Sequence, residues 1–126
     1  MLKGFEEYTG PLNGFELNTV LPKVARYLEK CKGAENAETN SQIRFRLSQD
    51  YNLHVTDPRL RAVINEIRTS GTVPYLVASS KGYYIATSVE EVEDYARTLD
   101  SRIREMIRVR DALLSQVEGK LFLNQN

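Results

Sequence analysis

The chain has 126 residues, is 41% hydrophobic and balances 17 basic against 17 acidic side chains, which suits one domain with a modest core. Its apolar stretches are only a few residues long, far short of the ~20 needed to cross a bilayer, and its start lacks the basic-then-apolar pattern of a secretory leader. The single cysteine, Cys31, excludes an internal disulfide and by itself builds no zinc site, so a reducing, cytoplasmic setting is expected.

Residues 1–12 show no period and contain Gly4, Gly10 and Pro11, which reads as a loosely attached arm. Asn13 and Glu16 have the spacing of a reciprocal cap. Leu17, Val20, Leu21, Val24, Leu28 and Cys31 then recur at helical intervals up to Gly33. Pro22 lies inside this run, so the helix either starts near Asn18 or kinks. After the polar connection 33–38, Thr39 or Asn40 caps a short second helix with Ile43 and Leu47 inward and Phe45 as a third core contact. Asp50-Tyr51-Asn52 marks a turn. Asp57 followed by Pro58 opens a third helix, whose apolar stripe is Leu60, Val63, Ile64 and Ile67, and Gly71 stops it.

Residues 73–78 and 82–86 read as two strands joined through Ser79-Ser80-Lys81-Gly82. Ser88-Val89-Glu90-Glu91 is a capping box, and neither proline nor glycine follows until Gly119. Roughly thirty helical residues span ~45 Å, longer than a small domain covers. Val89, Ala96, Ile103, Arg110 and Val117 repeat every seven, as do Val92, Leu99, Met106 and Leu113, and the two series interleave as a coiled-coil seam. The expected fold class is therefore α+β, mainly α: a winged helix-turn-helix over 13–87, a long helix over 88–118 and a tail over 119–126.

Charge is unevenly spread. Between Asn40 and Ala86, Arg44, Arg46, Arg59, Arg61, Arg68 and Lys81 outweigh Asp50, Asp57 and Glu66, a local surplus suited to a polyanion. In the third helix Arg61, Asn65 and Arg68 fall at spacings of four and three on the side away from the apolar stripe, with Arg59 near the first turn. Arginine grips guanine and asparagine grips adenine with two hydrogen bonds each, so these residues are expected to reach base edges. Ser79, Ser80 and Lys81 at the hairpin tip, and Ser41, Gln42 and Arg44 at the start of the second helix, are expected on backbone phosphates.

Catalytic groupings are missing from the pattern. His54 is the single histidine, and there is no Gly-rich phosphate loop, Cys-x-x-Cys or His-x-x-x-His. Cys31 closes an apolar stripe and reads as core. The tyrosines do not form a basic-aromatic platform for single strands. No enzyme activity, cofactor, metal or small-molecule substrate is expected.

The run Arg61-Ala62-Val63-Ile64-Asn65-Glu66-Ile67-Arg68, followed by Ser80-Lys81-Gly82-Tyr83-Tyr84 and an acidic start to a long last helix at 89–95, resembles a group of small winged-helix proteins of bacteriophages and prophages. The resemblance spans roughly residues 17–105. It implies double-stranded DNA binding, in transcriptional regulation or replication, inside a bacterial host cell. The seam Val92, Ala96, Leu99, Ile103, Met106, Leu113 and Val117 is expected to form a homodimer, since twofold symmetry suits paired half-sites. The alternative is a protein-interaction module that docks a partner through the last helix.

Overall fold

The computed structural model describes residues 10–119. The arm at 1–12 and the tail at 119–126 lie outside the described residues except for residues 10–12 and 119. The chain divides into two units between Val89 and Glu90.

In the first unit, helical structure starts where the capping pair places it. Asn13 Oδ1 accepts from the Glu16 N–H at 2.8 Å and Glu16 Oε1 accepts from the Asn13 N–H at 2.9 Å. A π-helical turn, Glu16–Val20, leads into α1, Leu21–Glu29. Pro22 accounts for the wide turn. It has no N–H to donate, and its ring excludes the carbonyl four residues back. The backbone accommodates it by taking in an extra residue, with the Leu21 N–H donating to Glu16 O. The helix therefore runs through the proline without starting late.

A 3₁₀ turn, Ala34–Asn36, precedes α2, Asn40–Tyr51. Thr39 and Gln42 cap α2 reciprocally, which decides between Thr39 and Asn40 in favour of Thr39. Asn52, in the left-handed region at φ 54°, ends it. Helix α3, Asp57–Ser70, is capped by Thr56, whose Oγ1 accepts from the Arg59 N–H at 3.3 Å, one residue earlier than the sequence suggests. Gly71 at φ 75° closes it.

Strands β1, Leu76–Ser79, and β2, Gly82–Ile85, pair antiparallel with Leu76 opposite Ile85 and Ser79 opposite Gly82. Strand β1 starts later than expected because Tyr75 sits at φ 61°, which breaks the extended backbone before Leu76, and β2 ends one residue earlier than expected, at Ile85. The connection between α1 and α2, which reads as a polar loop, hydrogen-bonds the free edge of β2. Tyr83 N–H donates to Glu38 O at 2.8 Å, Glu38 N–H donates to Tyr83 O at 3.1 Å, and Ile85 N–H donates to Cys31 O at 2.7 Å. Gly82, at φ 121°, passes so close that a Cβ there would lie 2.2 Å from Glu38 O.

The core joins all of these elements. Val20, Val24 and Leu28 meet Ile43 and Leu47 of α2, Leu60, Val63, Ile64 and Ile67 of α3, and Val73 and Leu76 before and within β1. Burial of each such aliphatic side chain contributes about 1.5–3 kcal/mol. Leu12 packs against this cluster, so residues 10–12 are attached rather than loose. Phe45 departs from expectation: it is 64% exposed, because Ile43 and Leu47 set the inward face of α2 and an odd position between them points away.

The second unit consists, within the described residues, of residues 90–119, which hold all but the first residue of helix α4, Val89–Glu118, 30 residues long with none buried. The described structure is thus mainly helical with one small antiparallel hairpin, an α+β arrangement. No helix of the described residues is long and apolar enough to cross a membrane.

Candidate nucleic-acid interface

Helix α3 buries Leu60, Val63, Ile64 and Ile67 completely, which fixes its rotation and so decides where every other side chain goes. Arg61 and Asn65 fall on the exposed side. Arg61 Nε donates to Asp57 Oδ2 at 3.0 Å, one turn earlier, with both side chains nearly half exposed. A surface pair of this kind is worth only a few tenths of a kcal/mol and is easily exchanged for another anion. Thr69 continues the same side and donates through Oγ1 to Asn65 O at 2.9 Å. Sequence periodicity extends to Thr69, but a threonine at a helix end carries no distinctive signal.

The two flanking arginines are drawn to opposite sides. Arg68 is half-buried, with its guanidinium 5.7 Å from the Tyr83 ring centre on β2, a cation–π stack that ties α3 to the hairpin. Arg59 departs from its expected place on DNA. Its Nε and Nη2 donate to the two carboxylate oxygens of Glu16 at 2.8 and 2.6 Å, and its Nη1 and Nη2 donate to Gly10 O and Pro11 O at 3.1 and 3.2 Å. Its side chain is 17% exposed. A fork–fork pair with two further carbonyls engages most of the guanidinium, so Arg59 fastens the N-terminal segment to α3. Glu16, held by that hydrogen-bonded guanidinium against the opposing effect of burial, is more acidic than an ordinary glutamate. The partner was not legible in sequence: Glu16 is identifiable there as half of a cap, but its second role depends on a residue 43 positions away.

At the hairpin tip, the turn between Ser79 and Gly82 leaves Ser80 and Lys81 exposed. Ser79 Oγ accepts from the Lys81 N–H at 3.1 Å, which shapes the turn and leaves the Lys81 ammonium at the surface. On α2, Ser41, Gln42 and Arg44 are exposed, yet two of the three have structural work. Gln42 Oε1 accepts from the Thr39 N–H at 2.8 Å within the cap. Arg44 Nε donates to Val55 O at 2.8 Å, pinning the segment before α3. Ser41, Arg44 and Phe45 line a shallow groove with Leu53, His54 and Val55.

The predicted pairing residues lie along α4. Leu99, Ile103, Met106, Leu113 and Val117 are large, exposed apolar side chains, joined by Ile107, Val109 and Leu114, while Val92 is half-buried and Ala96 exposed. Among the described residues, no group of three or more His, Cys, Asp or Glu is placed to hold a metal ion. Cys31 is buried, its thiol donating to Tyr27 O at 3.4 Å and made less acidic chiefly by desolvation. Compared with known proteins, the chain matches no family model, no curated protein and no solved structure.

Proposed function

We propose that the chain is a winged helix-turn-helix protein that binds double-stranded DNA, with α3 in the major groove and the β1–β2 turn on the backbone, and that pairs with a second copy through α4. The role fits transcriptional regulation or replication of phage or prophage type in a bacterial cytoplasm. One observation carries the reading: α3 is locked by four buried aliphatics while Arg61 and Asn65 stand on its exposed side. That is the division of labour a groove-reading helix needs. Lys81 at the exposed turn adds a cation suited to phosphate, and Arg68 supports the helix from the hairpin side. Arg59 is not assigned to DNA, and the reading involves no catalytic step or cofactor.

A gel-shift series over random and selected duplexes tests it. Arg61→Ala and Asn65→Ala are expected to weaken selected sequences by about 1–3 kcal/mol and relax base preference. Lys81→Ala is expected to weaken all duplexes alike and lower the slope of log K against log salt by about one. Equal, weak binding by the wild type and every variant removes the proposal. A protein-docking module is the second reading, favoured by the uncovered apolar side of α4. It predicts no duplex retained at ~100 mM salt.

A further inference from the structure

We propose that α4 pairs antiparallel with α4 of a second copy, in the register that sets Ile103 against the partner's Met106, Ala96 against the partner's Leu113 and Arg110 against the partner's Leu99. The inference rests on the reading that α4 pairs with itself and adds the direction and register, which the apolar repeat alone does not supply.

Charge and one seam residue decide the direction. The first part of α4 carries Glu90, Glu91, Glu93, Asp94 and Asp100 with Arg97 as its sole cation. The second part carries Arg102, Arg104, Arg108 and Arg110 against Glu105, Asp111 and Glu118. A parallel pair would lay the acidic part along the partner's acidic part over several turns. An antiparallel pair lays it along the cationic part, which removes like-charge repulsion and adds attraction.

Arg110 makes the same choice locally. It lies within the apolar stripe, bordered by Met106, Val109, Leu113 and Leu114. A parallel seam stacks equivalent positions, so Arg110 would face Arg110 of the other copy with Val109 as the flanking residue. In the antiparallel register Arg110 lies level with the partner's Leu99 and Asp100, so Asp100 is the carboxylate flanking that seam position. Twofold symmetry makes that ion pair twice. Arg110 now pairs with its neighbour Asp111 at 2.9 Å, both well exposed. Such a pair holds little energy and does not prevent the swing.

Disulfide trapping in the full chain tests direction independently of DNA. Ala96→Cys and Leu113→Cys proteins are prepared separately, one with an affinity tag, with Cys31 left in place because it is buried. The expected result is a mixed disulfide when the two are combined, and little self-disulfide from either alone. Self-disulfides of Leu113→Cys, with no mixed product, indicate parallel pairing and overturn the proposal. Sedimentation of the wild type as a monomer at tens of micromolar overturns direction and pairing together and leaves the α3 reading to its own gel shifts. Charge exchange adds a second readout. Arg110→Asp is expected to raise the dimer dissociation constant about tenfold, and Asp100→Arg in the same chain to restore it; a double variant no tighter than the single one overturns the register.

Discussion

One ion pair and one glycine set much of what the first unit can do. Glu16 and Arg59 close a tertiary link between the N-terminal segment and α3, and replacing one partner leaves the other buried without its charge complement. Glu16→Gln is expected to lose about 2 kcal/mol at neutral pH, read by chemical denaturation. The pH dependence has a definite sign. Glu16 has a folded pKa below its ordinary 4.5, so its contribution is fully present above that value and fades as pH falls through the folded pKa. The stability gap between the wild type and Glu16→Gln should therefore be constant near neutrality and close in acid; a gap that persists unchanged to pH 2 would show that the pair does not carry it. Gly82 is that glycine. Its φ of 121° and the 2.2 Å approach of Glu38 O to any Cβ leave no room for alanine. Gly82→Ala is expected to cost about 3 kcal/mol, seen as a lower urea midpoint with an unchanged slope.

At the level of elements, the sequence reveals whatever a short-range pattern encodes. The stripe of α3, the Val20, Val24, Leu28 and Cys31 part of the stripe of α1, the Asn13 cap and the Gly71 stop all depend on residues within one or two turns of each other, and each is found in the structure, whereas Leu17, from the same stripe, is 44% exposed. What escapes is tertiary. The 31–38 connection contains Gly33, Glu35, Asn36 and Glu38 and has no alternation, yet its backbone serves the free edge of β2, since hydrogen bonding by main chain is blind to side-chain hydropathy. Phe45 is apolar and close to Ile43 and Leu47 in sequence, but the angle between helix positions outweighs composition. Arg59, Arg61 and Arg68 look alike as sequence. Their fates divide by position around α3, Arg59 turning toward Glu16, Arg61 toward Asp57 at the surface and Arg68 toward Tyr83, so on this helix Arg61 and Asn65 keep the expected exposure.

Across the whole molecule, the two units hold together by different means. Residues 12–85 share one core, whereas α4 has no buried side chain among the described residues. A helix in a protein draws most of its stability from packing of its apolar face, and neighbouring ion pairs such as Arg108 with Glu105 are exposed and screened by solvent. Ellipticity at 222 nm is therefore expected to melt in two steps, with the step belonging to α4 rising as protein concentration rises and the step belonging to the core independent of it. A single concentration-independent transition would mean that α4 draws its stability from elsewhere.

The double-sided bonding of β2 has a consequence for motion. With one edge on β1 and the other on the 31–38 backbone, the hairpin's root cannot pivot without breaking several main-chain bonds at once, while Ser80 and Lys81 at its end are bound by none of them. Amide protons of Tyr83 and Ile85 should thus persist longest in deuterium, and the Lys81 amide should vanish early. If α3 and the hairpin engage DNA as proposed, a duplex would meet a stiff stalk with a yielding fingertip, so that contact there is adjusted over a few ångströms and no hinge has to close.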